Sequence, residues 1–567
     1  MKKMIPAIAA VVLIIAVIAI SLGIKVVNKY SYSKERADLN EYFSIQSEDQ
    51  VPIVLQDEQI EESAKLMDGV YYLDLASVHK YLSDRFYEDS NEGLLLYTLP
   101  DQTVRTVIGS ADYETKEGTQ SEDYVISRYE GETLYLALDY VKKFTNFSYE
   151  AFTEPNHMQL DTKWEEKKTA EISKDTSLRY QGGVKSPILT DMKQGDTVTV
   201  LEEMENWSRV KTADSYIGYV ENKRLNQYGT ETPIPVSDVE EPVYTNITKP
   251  YKINLAWHAI AGLSGNDTLD TSLEGTNGLN TISPTWFALS DNEGNFTSLA
   301  SADYVNRAHD KGLEVWGLID NFTNGDSVDT FEVLSYTGKR TNLISNLIQA
   351  ALQYGLDGIN VDFEQISQDA GEHYIQFIRE LSIPCRENGI VLSVDNYVPT
   401  GGTDHYDRAE QGKVADYVVI MGYDEHYRGS TEPGSVASID FVENGIQKTV
   451  EQVPPEKVIN AIPFYTRIWK TQGAELTSEA VGMELAEEFI AKHNVETNWD
   501  ETTCQNYGEI QEEDAFYQVW LEDEQSIEAK LNIMKKYNLA GVAEWKLGFQ
   551  KNSIWDVISA YVNEQAE

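Results

Sequence analysis

The stretch Asp357-Gly-Ile-Asn-Val-Asp-Phe-Glu364 places Asn360, Asp362 and Glu364 at alternate positions, with Ile359, Val361 and Phe363 beside them. In an extended strand successive side chains point to opposite faces, so three polar groups share one face and three apolar groups the other. Polar groups lined up inside a protein cost free energy to bury, and carboxyls so placed are expected to do chemistry. The alternative for this motif alone is a satisfied polar layer in a core. Three further clusters of polar and aromatic residues follow: Met421-Gly-Tyr-Asp424, Ile462-Pro-Phe-Tyr-Thr-Arg467, and Gly541-Val-Ala-Glu-Trp545.

Elements that could position these groups are visible beyond residue 250. Short apolar runs at 253–257, 282–287, 315–319, 358–363, 391–395, 417–423, 458–463 and 541–545 alternate with amphipathic helical patterns. That alternation is the sequence form of repeated βα units around a parallel sheet. Eight such units predict a C-terminal (β/α)8 TIM barrel over residues 249–567, with the site at the C-terminal strand ends. The gap before the last strand is long, and predicts an inserted α+β subdomain at about residues 470–525.

The four motifs, in this order, resemble those of glycoside hydrolase family 18. Asp357, Asp362 and Glu364 match the family's DxxDxDxE signature, with Asn360 where the family has an Asp. Met421-Gly-Tyr-Asp424 is similar to its sixth-strand MxYD, residues 462–467 to its seventh-strand segment, and Trp545 to its eighth-strand aromatic. The similarity spans about residues 250–565, and the nearest subgroup is the spore germination and cortex-lytic type. It implies substrate-assisted retaining hydrolysis, in which the sugar's 2-acetamido oxygen is the nucleophile. Glu364 would then be the acid and later the base, with a pKa raised by burial and by Asp362. Asp362 would orient the acetamide, Tyr423 would donate to its carbonyl, Asp424 would hold a sugar hydroxyl, and Trp545 would floor the cleavage subsite. For Trp545 the alternative is a core aromatic closing the barrel. Asp357 is carried over as a structural member of the motif. Asn360 can only hydrogen-bond where an Asp would share a proton with Asp362, so the pH profile should differ from that of the common chitinases. Trp286, Trp316, Asn396, Tyr465 and Arg467 lie at or beside predicted strand ends and are candidates to line a sugar groove. No metal or organic cofactor is expected.

The rest of the chain reads as an anchor and a stalk. A charge-free run from Met4 to Ile24 is of spanning length, since about 20 residues cross a bilayer core. It predicts a transmembrane signal anchor at 1–27, with the bulk of the chain outside the cell membrane, or secreted if the segment is cleaved. Residues 40–165 hold a duplication in which Val70-Tyr-Tyr-Leu-Asp-Leu and Thr133-Leu-Tyr-Leu-Ala-Leu each precede a helix and a second strand, an α+β unit similar to the copper amine oxidase N-terminal-like domain. No His cluster accompanies it, so no copper is implied. Residues 169–226 read as a small all-β barrel that resembles a bacterial Src-homology-3-like domain, either a cell-wall peptide binder or a rigid spacer. Residues 227–248, with Pro233, Pro235 and Pro242, read as an extended linker.

Composition bounds the partners. With 93 acidic against 46 basic residues the formal charge is −47, which excludes a polynucleotide by repulsion. Cys385 and Cys504 stand apart without ligand spacing and read as buried thiols. Six Asn-x-Ser/Thr sequons, at Asn146, Asn206, Asn246, Asn266, Asn295 and Asn321, carry little weight. The function expected is cleavage of β-1,4 bonds in an N-acetylglucosamine-containing glycan, peptidoglycan or spore cortex, with chitin oligomers or non-catalytic glycan binding as alternatives.

Overall fold

The structure is a computed structural model that describes residues 5–234, 239–240 and 242–564. Residues 1–4, with the expected start of the anchor, and Pro235 of the expected linker lie outside the described residues. The chain separates into two compact units, one of residues 87–105, 114–118 and 242–567, the other of residues 1–86, 106–113 and 119–241.

The first unit is built on eight parallel strands: β1 (Ile253–His258), β2 (Thr281–Leu289), β3 (Glu314–Asp320), β4 (Gly358–Asp362), β5 (Val391–Tyr397), β6 (Tyr417–Met421), β7 (Val458–Pro463) and β8 (Gly541–Trp545). Each pairs with its neighbours, and β8 pairs with both β1 and β7, so the sheet closes on itself. This is the expected TIM barrel. Strands covered on both faces read as near-continuous apolar runs, which is why all eight could be found from sequence. Side chains alternate between two cores. Leu255, Trp257, Leu318, Val419, Ile459 and Ala543 fill the barrel, while Ala256, Ile319, Val361, Val394, Ile420 and Val542 face the helices outside. Each fully buried aliphatic side chain stabilises by roughly 1.5–3 kcal/mol. Gly541 begins β8 because a Cβ there would lie 2.1 Å from the Ile253 carbonyl oxygen.

The insertion starts directly after β7, at Tyr465, rather than near 470. Its strands Tyr465–Gln472, Glu475–Gly482, Thr497–Asp500, Gln505–Glu512 and Ala515–Leu521 form one antiparallel sheet, and helix Met483–His493 lies within it. The stretch 87–105, far upstream in sequence, belongs to the barrel unit. The buried Asp89 carboxylate accepts from the Thr337 backbone N–H and hydroxyl, both at 2.6 Å. Helix Thr337–Tyr354 has no capping side chain of its own at that end, so Asp89 satisfies a donor the helix leaves orphaned. Nearby, the fully buried Arg340 is held by Glu380 at 2.9 Å, by the Tyr87 hydroxyl at 3.0 Å and by the Leu334 carbonyl at 2.7 Å.

In the second unit, helix Ile5–Tyr30 contains a 23-residue segment, Ile8–Tyr30, long and apolar enough to cross a membrane. The duplicated strands Val70–Asp74 and Thr133–Ala137 each run into a helix, Leu75–Tyr81 and Leu138–Val141, and pair antiparallel with each other. A seven-stranded sheet runs from Lys167–Ile172 to Leu225–Glu231. The segment expected to be a linker from 227 is therefore strand as far as Glu231, because Thr169 pairs with Gly229. At its other end Ile247 N donates to Asp416 Oδ1 at 2.6 Å and Asn246 Nδ2 to the Ala415 carbonyl at 3.0 Å.

Candidate active site

Carboxyl groups converge at the C-terminal ends of β3, β4 and β5. Strand β4 turns Asn360 and Asp362 inward, and Glu364 follows just past its end. In β5 the register sets Asn360 against Ser393 and Val361 against Val394. With Val394 in the outer core, Ser393, Asp395 and Tyr397 take the inward face. Asp320, the last residue of β3, pairs with Asp362.

Asn360 is completely buried and uses both ends of its amide. Its Nδ2 donates to Asp395 Oδ1 at 2.7 Å and to Ser393 Oγ at 3.0 Å. Its Oδ1 accepts from the Trp257 indole N–H at 2.9 Å and the Ser283 hydroxyl at 3.2 Å. A carboxylate at this position could not donate to Asp395, so the Asn is what lets a second carboxyl sit on the next strand. One oxygen of each remains without a hydrogen-bond partner, Oδ1 of Asp362 and Oδ2 of Asp395. Burial first, and then the charges of Asp395, Glu364 and Asp320, hold the Asp362 carboxyl well above the usual carboxylate range. Burial raises Asp395 too, opposed by the Asn360 hydrogen bond and assisted by Glu364.

Glu364 is half-buried. Its backbone is fixed on both sides by Asn321, whose Oδ1 accepts from Glu364 N at 2.8 Å and whose Nδ2 donates to Glu364 O at 3.0 Å. Its carboxylate accepts from the Tyr397 hydroxyl at 2.6 Å. Burial raises its pKa, the Tyr397 hydrogen bond acts against that rise, and the charges of Asp424 and Asp320 add to it. Asp320 is raised by burial, and its carboxylate accepts from Phe322 N and Thr323 N at 3.1 and 2.8 Å.

Past β6 the half-buried Tyr423 hydroxyl is pushed well above its ordinary value, by burial first and then by Tyr465 and the carboxyls. Asp424 adopts φ 59° and accepts from the Tyr465 hydroxyl at 2.5 Å, and the Tyr423 and Tyr465 rings meet edge to face at 6.3 Å. Arg467 donates from Nη1 to Ser478 Oγ at 3.2 Å and keeps a buried Nε without a partner. Trp545 is half-exposed, its ring 5.9 Å from that of Trp257, the same indole that holds Asn360.

Three groove candidates lie elsewhere. Trp286 is 2% exposed, packs among the helices and gives its indole N–H to Asn266 at 2.8 Å. It shares the parity of Ile282, which also faces the outer core, and the register irregularity between Thr285 and Phe287 adds Phe287 to that same face. Trp316 is buried within the barrel, stacked on Tyr417 at 5.6 Å. Asn396, one residue past Asp395, faces the helices and exchanges hydrogen bonds with Gln411 at 2.7 and 3.2 Å. Asp357 stands at the opposite end of β4, accepting from Val315 N and His309 Nε2, both at 2.8 Å. Asp395, Tyr397 and Asp320 were not among the site residues expected from sequence, and Asn321 was noted there only as a sequon. The period-two alternation of Ser393, Asp395 and Tyr397 is the signal that finds two of them. Among the described residues no group of three or more His, Cys, Asp or Glu is arranged to hold a metal ion.

Such a cluster can keep one carboxyl protonated near neutral pH beside another that is free to carry charge, the requirement for a general acid next to an electrostatic stabiliser. Comparison with known proteins agrees in kind. Residues 243–550 match the model of the glycosyl hydrolases family 18, and residues 174–226 that of the bacterial SH3 domain. An uncharacterized glycosylase of Bacillus subtilis (strain 168) is 28% identical over 295 residues, 49% of this chain and 84% of the relative. A cortical fragment-lytic enzyme of Bacillus anthracis is 28% identical over 252 residues, 42% of this chain and 58% of that enzyme's length. The crystal structure of the Bacillus cereus spore cortex-lytic enzyme SleL shares the fold, with a TM-score of 0.51 and 24% identity over 59% of this chain and 79% of that one.

Proposed function

The chain belongs to glycoside hydrolase family 18, and on that premise we propose that it cleaves β-1,4 bonds next to N-acetylglucosamine in peptidoglycan or spore cortex glycan, with retention of configuration. The observation that carries this is Glu364, a half-buried carboxyl raised by burial and by its acidic neighbours, oriented by Tyr397 and backed by the buried Asp362. Glu364 protonates the glycosidic oxygen while the sugar's own acetamide oxygen attacks the anomeric carbon. Asp362 accepts from the acetamide N–H and, as an anion, faces the oxazolinium cation so formed. Tyr423 donates to the acetamide oxygen, and Asp424, with Tyr465 bound to it, holds a sugar hydroxyl. Glu364, now a carboxylate, draws a proton from water as the water adds to the anomeric carbon and the bond from that carbon to the acetamide oxygen breaks, which restores the acetamide. The half-exposed Trp545 supplies a flat apolar floor for the pyranose. Tyr465 and Arg467, at the start of the insertion, line one wall.

Around this core the apolar helix serves as a single-pass anchor that keeps the barrel outside the cell. The duplicated region acts as an envelope module of the copper amine oxidase N-terminal-like kind, and the SH3 domain as a wall-peptide binder or spacer. The preference for peptidoglycan over chitin is supported by the likeness to the cortical fragment-lytic enzyme of Bacillus anthracis. The test is mass spectrometry of products after the full chain, in detergent, is incubated with peptidoglycan, spore cortex fragments and chitin oligomers, beside Glu364→Gln. Fragments ending in reducing N-acetylglucosamine, lost in the variant, are the expected result. Retention of a glycan without cleavage would replace hydrolysis by binding.

A further inference from the structure

We propose that Asp395 is a positioning residue of this site: it holds the proton that Asp362 must be without when the oxazolinium cation forms, a carboxyl supplied by the neighbouring strand because β4 carries Asn360. This rests on the hydrolase reading above. Its basis is geometric. Asn360 pairs with Ser393 and Val361 with Val394, so one step further along both strands Asp362 lies beside Asp395 on the same inward face. Both are buried, and each keeps one oxygen without a protein partner. Asn360 Nδ2 ties Asp395 Oδ1 in place at 2.7 Å, which leaves Oδ2 as the oxygen free to take a proton.

Two ionised carboxylates cannot both persist in such a pocket, so the pair keeps one proton between them. When Asp362 is the anion, Asp395 is the acid, and when Asp362 is neutral the charge sits on Asp395. The pair holds one negative charge throughout, and no proton is taken from Glu364 or from solvent. The titratable groups facing Asp395 are Asp362 at the end of β4, Glu364 just past it, Tyr423 beyond β6, and Tyr374 from helix Gly371–Asn388, with Asp320 of β3 acting on Asp362. None is a cation, so the shared proton is what relieves the repulsion.

Asp395→Asn preserves shape and the acceptor for Asn360, and removes only the capacity to hold that proton. Asp362 must then ionise alone, at a value above the first ionisation of a proton-sharing pair. Its expected effects in the full chain are a fall in kcat of about tenfold or more with KM little changed, and an acid limb of kcat/KM moved upward by about one pH unit. The double variant Asn360→Asp/Asp395→Asn returns the second carboxyl to β4 and should move both back towards wild type. Unchanged kcat and acid limb in Asp395→Asn, with wild-type thermal stability, would overturn the proposal. A readout independent of turnover separates the two ideas. At a pH above the variant's acid limb, where its Asp362 is ionised, the infrared carboxylic-acid band of the full chain should be smaller by one carboxyl in Asp395→Asn than in wild type, and an unchanged band there rejects the shared proton. If the band difference is present while the wild-type chain cuts no glycan, the hydrolase reading fails and the shared proton stands.

Discussion

Replacing Tyr397 by Phe removes a single hydroxyl, the one that donates to Glu364 Oε2 at 2.6 Å. A hydrogen bond to an ionised group has a net strength of about 1.5–3 kcal/mol, equivalent to roughly one to two pKa units at about 1.36 kcal/mol each. Glu364 already sits above its ordinary value near 4.5 through burial, and the Tyr397 bond is the contribution acting in the opposite direction. Tyr397→Phe therefore raises the Glu364 pKa further. Because the acid form protonates the leaving oxygen, the alkaline limb of kcat/KM should move upward by about one to two pH units. The assay is the initial rate on a chromogenic chitobioside across the pH range, with Tyr397→Phe and wild type measured in parallel. kcat should fall as well, since the carboxylate that activates water loses its orienting donor. For stability, a folded pKa raised above the unfolded one gives a contribution that is complete below the unfolded value and is lost as pH rises through the folded value. The variant's stability deficit should therefore grow with pH. An alkaline limb that stays in place or moves to lower pH would refute the assignment of Tyr397 as the group restraining this carboxyl.

Asp89→Ala removes the acceptor that caps helix Thr337–Tyr354, and should lower unfolding free energy by about 1–2 kcal/mol in denaturant titration, with KM unchanged. Glu544, on β8, is fully buried with both carboxyl oxygens unpartnered, and burial alone holds it well above 4.5. Its contribution to stability is present below about 4.5 and is lost as pH rises. The melting temperature of the wild type should thus fall towards alkaline pH more steeply than that of Glu544→Gln, and parallel curves would count against a neutral carboxyl at this position.

What the sequence revealed follows from which forces act locally. The eight barrel strands were legible because burial on both faces leaves unbroken apolar runs, and the polar face of β4 because Asn360, Asp362 and Glu364 alternate with apolar residues. In β5 the adjacent pair Asp395-Asn396 offers two polar choices, and only the register with β4 decides which faces inward. Choosing Asn396 missed by one residue, and one residue in a strand is the opposite face. Trp286 was misplaced for a related reason, since nearness to a strand end says nothing of the face, and its parity with Ile282 puts it in the outer core. The partnership of residues 87–105 with the barrel had no local signal, because Asp89 and Thr337 meet across 248 positions.

That separation has a meaning in time as well as in space. At about 5–20 residues per second, a ribosome needs roughly 10–50 s to travel from Asp89 to Thr337. Throughout that interval the stretch Leu94–Leu99, whose residues end up almost wholly buried, exists in the nascent chain before helix Gly371–Asn388, on which it packs, has been made. Its apolar side chains must remain unaggregated until then. A shortened gene that starts the barrel at about residue 242 would also omit this early-made piece, leaving Arg340 without Tyr87 and the Thr337 helix without its cap, so the usable expression boundary of this hydrolase lies upstream of its family-defined edge.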